Sequence, residues 1–135
     1  MAKESGIGWT SLTVDNSAGA GKDIKNDVTN LQFSTPRAVI DVTGIDSAAI
    51  ERILGLADFS ITMNGEYNNA ADLSHAVLSD VASTSVVRTV ALTVSGKSLS
   101  VECLLTDYAL TRAQGGELSW STPGVLANGT APTWT

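Results

Sequence analysis

Arg88-Thr89-Val90-Ala91-Leu92-Thr93-Val94-Ser95-Gly96-Lys97-Ser98-Leu99-Ser100-Val101-Glu102-Cys103-Leu104-Leu105 is the stretch that decides the fold. Val90, Leu92 and Val94 alternate with Thr89, Ala91 and Thr93. Beyond Gly96-Lys97, Leu99, Val101, Cys103 and Leu105 alternate with Ser98, Ser100, Glu102 and Leu104. Successive strand side chains point to opposite faces, so this alternation puts one apolar face on a core and one hydroxyl-rich face outward. The Gly-Lys pair between the runs suits a two-residue hairpin turn.

The same pattern extends on both sides. Upstream, Ala57, Phe59, Ile61 and Met63 alternate with Asp58, Ser60 and Thr62. Downstream, Tyr108–Ala113 and Glu117–Ser121 flank Gln114-Gly115-Gly116, a second hairpin with Leu118 and Trp120 inward and Ser119 and Ser121 outward. Strands are also expected at Trp9–Val14, at Asp27–Ser34 and, after the break at Pro36, at Ala38–Val42. Asp46–Leu54 is the expected flanking α-helix: Asp46 caps it, Ala49, Ile50, Ile53 and Leu54 form its apolar stripe, and Gly55 ends it. A second short helix is expected within Asp72–Val81. Asp15–Lys22, containing Gly19 and Gly21, reads as a flexible loop, and Leu126–Thr135 as an extended tail. The fold class is mainly β: a largely antiparallel β-sandwich or barrel with a flanking helix, in one domain spanning residues 1–135.

Composition bounds the function. The 135 residues suffice for one domain with its own core. Acids outnumber bases by 14 to 8, and the bases are scattered, so nothing gathers positive charge for tight nucleic-acid binding. The one cysteine, Cys103, forms no intramolecular disulfide and no cysteine-based metal site. No apolar run approaches the roughly 20 residues that span a bilayer. Met1–Gly6 leads into no signal-peptide apolar region, so synthesis in a reducing cytoplasm is expected.

Motifs for chemistry are thin. Ser74, His75 and Asp80 hold the residue types of a hydrolytic triad, but neighbours in sequence do not meet in triad geometry. Asp41, Asp46 and Glu51 lack calcium-loop spacing. Gly19-Ala20-Gly21-Lys22 is followed by Asp23, where a phosphate loop needs Ser or Thr. Trp9 and Trp120 fit strand packing. Trp134 lies in a polar tail and suits docking on a neighbour. No catalytic, cofactor or metal residue is expected.

One set of segments, in order, resembles the major tail-tube proteins of long-tailed bacteriophages. It comprises Asp41-Val42-Thr43-Gly44-Ile45-Asp46, Ala49-Ile50-Glu51-Arg52-Ile53-Leu54, Gly55-Leu56-Ala57-Asp58-Phe59-Ser60-Ile61, Ser74-His75-Ala76-Val77 and Arg88-Thr89-Val90. It continues with Leu104-Leu105-Thr106-Asp107-Tyr108, Gly116-Glu117-Leu118-Ser119-Trp120-Ser121 and Asn128-Gly129-Thr130-Ala131-Pro132-Thr133-Trp134. The resemblance is to the non-contractile, siphophage-type tube. It implies a virion protein, made in the host bacterial cytoplasm, that forms stacked hexameric rings around a lumen through which DNA slides. Its partners are then other copies of itself and tail proteins such as the tape measure and terminator, with no cofactor and no membrane. Asp58, Ser60, Thr62, Thr89, Thr93, Ser98, Ser100, Glu102, Ser119 and Ser121 become candidates for the lumen. Asp15, Gly19, Gly21, Lys22 and Trp134 become candidates for contacts between subunits, in segments expected to order only on assembly.

Other readings stand beside this one. A tail terminator, a baseplate ring or a type VI secretion tube shares the same physics, and filament formation separates the tube from a capping ring. A cell-surface β domain binding sugar or protein calls for a leader or anchor. An enzyme calls for a pocket with converging polar groups.

Overall fold

A computed structural model describes residues 3–135. Its elements in chain order are β1 (Ser11–Asp15), β2 (Gly21–Asp23), β3 (Val28–Ser34), β4 (Arg37–Asp41), β5 (Arg52–Ala57), β6 (Ser60–Glu66), α1 (Ser74–Leu78), β7 (Arg88–Val94), β8 (Lys97–Leu105), β9 (Ala109–Arg112) and β10 (Leu118–Leu126). A 3-10 turn, Lys25–Asp27, joins β2 to β3. All strand pairings are antiparallel, as short turns between neighbouring strands require.

The main sheet runs β2-β1-β7-β8-β10-β6-β3, with β9 also paired to β10. β2 and β3 lie at opposite ends of this path, yet only Ile24–Asp27 separates them in the chain. Five Cα steps reach at most about 19 Å, so the sheet has to curl until its ends approach. The corner is β8–β10, which pair only through Cys103–Leu105 and Gly124–Leu126. Two layers result, β2-β1-β7-β8 against β10-β6-β3. Between them lies one core that includes Leu12, Val14, Val90, Leu92, Leu99, Cys103, Ile61, Met63 and Trp120. At the split, Pro123 accepts a bond at 3.1 Å from the Thr106 N–H. A strand residue aims N–H and C=O at the same neighbour, so the donor that proline lacks falls where β8 leaves and β9 has yet to arrive.

Short polar contacts fix the closure. The Ile24 N–H donates to Leu12 O at 3.0 Å, and the Ile24 side chain is fully buried. Asp27, also buried, accepts from the Ser74 N–H at the start of α1 and from Asn68 Nδ2, both at 3.0 Å. At the other end of α1, buried Arg88 donates to Val77 O at 2.7 Å and to Asp80 Oδ1 at 2.8 Å. The helix that was expected second and short is therefore the helix of the fold, pinned at both ends over the core. The Ser17 hydroxyl, and after it the Arg88 guanidinium, hold the Asp80 carboxyl below the usual carboxylate range.

The helix expected at Asp46–Leu54 is not there. Arg52–Ala57 is β5, which pairs with β4 as an isolated two-stranded ribbon. A helix of this length is marginal unless a core receives its apolar face, and the ribbon stands away from the core. Asp46 caps nothing, and Gly55 lies within a strand with no left-handed φ. Asp41 and Glu51 organise the loop between the strands: Asp41 Oδ1 accepts from Thr43 N and Oγ1 at 2.9 and 2.6 Å, and Glu51 Oε1 accepts from Ser47 Oγ at 2.6 Å. Two boundaries also move. Asp15–Lys22 is not one loop but a hairpin, in which Asp15 ends β1, Gly21 and Lys22 begin β2, and Asn16 Oδ1 accepts from Ala18 N and Ala20 N, both at 3.0 Å. Leu126 belongs to β10, because the strand runs on through Pro123.

Gly65 marks the tightest packing. A Cβ there collides with the Asp27 carbonyl oxygen and the Trp120 indole. Neither yields, since Asp27 O is backbone and Trp120 Nε1 donates to Glu66 O at 2.9 Å. Gly65→Ala is expected to lower the unfolding free energy by about 1–3 kcal/mol, the usual range for overpacking, in urea denaturation of the free subunit. A change below a few tenths contradicts this packing.

Candidate assembly surfaces

The residue types of a triad do not converge. Ser74 Oγ donates to Glu66 O at 3.4 Å, His75 Nδ1 pairs with Tyr108 Oη at 3.0 Å, and Asp80 pairs with Arg88. Among the described residues no group of three or more His, Cys, Asp or Glu is placed to hold a metal. Cys103 is fully buried, and desolvation, then Glu102, pushes its thiol up to about 12. A concavity of about 590 Å³ lies at the root of the β4–β5 ribbon, lined in part by Thr35, Arg37, Leu56, Ala131 and Pro132. It brings together one guanidinium and apolar groups, not an acid–base pair. No helix among the described residues is long and apolar enough to cross a membrane.

The outward face carries the hydroxyl pattern. Cross-strand register aligns Ser11, Thr93 and Ser98 in one row and Thr13, Ala91 and Ser100 in the next. On the other layer it aligns Val125, Ser60 and Ser34, then Pro123, Thr62 and Gln32. Many of these groups bond one another: Thr89 Oγ1 donates to Glu102 Oε1 at 2.5 Å, and Thr93 with Ser98, and Ser34 with Ser60, share hydroxyl bonds at 2.9 and 3.0 Å. The outward parity of β1, β3, β6, β7, β8 and β10 holds Asp15, Glu66 and Glu102 but neither Lys nor Arg. Of the candidates for a lumen, Thr89, Thr93, Ser98, Ser100 and Glu102 lie on the β7–β8 layer. Ser60, Thr62, Ser119 and Ser121 lie on the β6–β10 layer, and Asp58 in the link between β5 and β6. The two layers face away from each other across the core, so they do not form one surface.

The β4–β5 ribbon is the second surface, and its apolar groups lack a core. Val39, Ile40, Val42, Ile45, Ile50, Ile53, Leu54 and Leu56 are all exposed, Ile45 completely and Leu56 to 90%. Both strands read exposed along nearly their whole length. Arg37 braces the root by donating to Gly55 O at 2.8 and 3.1 Å. An exposed apolar patch of this kind marks a contact with another molecule. Sequence reading placed Ile50, Ile53 and Leu54 on a buried helix face, and Val39, Ile40 and Val42 in a strand. The signal that identifies them is the pair of apolar runs, Ala38–Val42 and Arg52–Leu56, which pair in antiparallel register.

The subunit-contact candidates fall in two places. Lys22 Nζ pairs with Asp72 Oδ1 at 3.3 Å, which ties the β1–β2 hairpin to the turn before α1. Gly19 holds a φ of 83° at the exposed tip of that hairpin. Trp134, expected on a neighbour, packs on its own chain: it bridges to Leu99, and its ring lies 6.0 Å from Phe33, with 48% left exposed. Phe33 in turn stacks on Phe59 at 6.3 Å. Trp134 thus seals part of the seam between the layers. Trp134→Ala is expected to destabilise the free subunit by about 1–2 kcal/mol, below the range for a fully buried tryptophan because half the ring is wet. An unchanged melting temperature contradicts the docking.

No protein-family model matches this sequence. No curated protein matches it either. Solved structures do share its fold. A chain of the virion of a native gene transfer agent particle superposes with a TM-score of 0.75 at 16% identity, covering 99% of this chain and 99% of that one. A chain from the tail of an empty gene transfer agent particle, with C6 symmetry, gives a TM-score of 0.74 at 19% identity, covering 98% and 99%. At these identities the likeness is one of fold, and it runs the whole length of both chains.

Proposed function

We propose that this chain is a structural virion protein, the major tail-tube subunit of a long-tailed phage or phage-like particle. Copies form hexameric rings, and the rings stack around a lumen that conducts DNA. The observation that carries this reading is the β4–β5 arm, whose large apolar side chains stand in water in the single subunit. Burial of apolar surface contributes roughly 25 cal/mol per Å², and another copy supplies the missing cover. The full-length likeness of fold to a chain in a tail with C6 symmetry supports the same reading and favours six copies per ring.

The lumen follows from charge. DNA slides where nothing grips phosphate, so a conducting wall carries few bases. The β7–β8 layer meets this with Thr89, Thr93, Ser98, Ser100 and Glu102, whose side-chain bonds already occupy many of their donors. In this reading that layer lines the channel, and the β6–β10 layer with Ser60, Thr62, Ser119 and Ser121 faces away. The tape measure and the terminator are the expected further partners, at the inside and the end of the tube. A capping ring of the same fold is the second reading. Open-ended growth of the purified protein separates tube from cap.

Two sets of variants test this. Ile45→Glu and Leu56→Glu, both fully or nearly fully exposed, are expected to change subunit stability by no more than about 0.5 kcal/mol, as surface substitutions do. The same changes are expected to abolish sedimenting assemblies, because a charge then stands in the contact. Assembly at the parent level removes the arm from the interface. Glu102→Lys is expected to fold normally and slow DNA ejection from particles, whereas Thr62→Lys is expected to leave the rate unchanged. The opposite result assigns the channel to the other layer.

A further inference from the structure

The chain leaves β10 and returns to β8 out of step with itself. Leu126 pairs with Cys103, and the Ala127 N–H donates to Glu102 O at 2.9 Å. If that register continued, Thr130 would stand opposite Leu99. Instead Trp134 stands there, four residues later, and Thr135 and Ser98 exchange both backbone bonds at 2.9 and 3.0 Å. The excess is looped out between Asn128 and Thr133, which form no backbone hydrogen bond to the layers among the described residues. The loop is built as a turn outside the ladder. Gly129 sits at a φ of 71°, the Asn128 side chain accepts from Thr130 N at 3.1 Å, and Pro132 has no N–H to give to a ladder.

The slack is large. Seven residue steps from Ala127 to Trp134 reach about 24 Å when extended, while the matching three steps along β8 span only about 10 Å. A strap needing only the shorter distance carries about 14 Å of spare reach by the same spacings. The strap is held by two backbone bonds, a hydroxyl bond from Thr135 Oγ1 to Ser98 O at 3.4 Å, and a tryptophan half in water.

We infer that this strap is exchanged between copies. In the assembled protein, residues 133–135 pair with the Ser98–Leu99 edge of a neighbouring copy, and the neighbour's strap or that of the next copy fills the vacated edge. An identical contact made in trans loses nothing that the contact in cis supplied, so exchange costs little and links subunits covalently continuous with their own cores. The inference rests on the reading that the chain assembles with itself, and it names the element that joins one copy to the next.

The test is a cysteine pair, Ser98→Cys with Thr135→Cys. Directly opposed residues of a hydrogen-bonded antiparallel pair lie about 5.5 Å apart at Cα, within the span of a disulfide. Native Cys103 does not compete, being buried with its thiol pushed up to about 12. Oxidation of the free subunit is expected to give an intrachain link and a single band. Oxidation after assembly is expected to give an interchain ladder on non-reducing gels. Assemblies that carry only intrachain links overturn the exchange and leave self-assembly standing; a protein that never sediments overturns both. Should the pair fail to oxidise, deletion of Thr130–Thr133 decides, since it returns Trp134 to the continuous register and takes away the reach. That variant is expected to stay folded yet soluble at concentrations where the parent sediments. Assembly at the parent concentration contradicts the exchange.

Discussion

Ile24–Asp27 has to bring together the two ends of a seven-strand path. Everything else in the molecule depends on that closure. A flat sheet of these strands leaves one apolar face in water; the curl folds it onto itself and makes a core without help from a large helix. Ile24 enters that core, and Asp27 binds the first N–H of α1, so the same four residues close the sheet and seat the helix. Gly65 is small because the closing backbone passes directly over it.

Closure also sorts the surface. With the apolar faces turned inward, the hydroxyl-rich parity of each layer faces out, acidic and without bases along six strands. The segment that cannot join either layer, residues 36–58, leaves as a ribbon and keeps its apolar groups in solvent. A monomer gains nothing from such an arm. In the assembly proposed above, the arm supplies the contact, the polar wall the conduit and the strap the link.

Much of this was legible in the residues. Val90–Val94 and Leu99–Leu105 specified their strands and their buried face, because period-two alternation depends on local geometry alone; the turn between them is Ser95-Gly96, one residue before the expected Gly96-Lys97, because Val94 pairs with Lys97. The inward Trp120 was legible for the same reason, and the short α1 from the helical spacing of Leu73, Val77, Leu78 and Val81. Ala49, Ile50, Ile53 and Leu54 misled, since an apolar stripe at helical spacing carries no information on whether a core exists to receive it. The closure was hidden because it is a relation between strands far apart in the sheet. Arg88 was hidden too: its burial is tolerable only because Val77 O, Asp80 and Asp15 O surround it. Nine of the ten lumen candidates lie on outward strand parity, with Asp58 in the β5–β6 link, yet parity alone does not say that they are divided between opposite layers.

The central claim is that this fold works as a ring-forming repeat. Cryo-electron microscopy of the purified protein at rising concentration, read from end-on class averages, tests it most directly. The account predicts open-ended tubes whose end views carry sixfold symmetry around an empty centre, with the β4–β5 arm buried against the adjacent copy. Monodisperse single subunits at every concentration and salt, with the arm still in solvent, would contradict it.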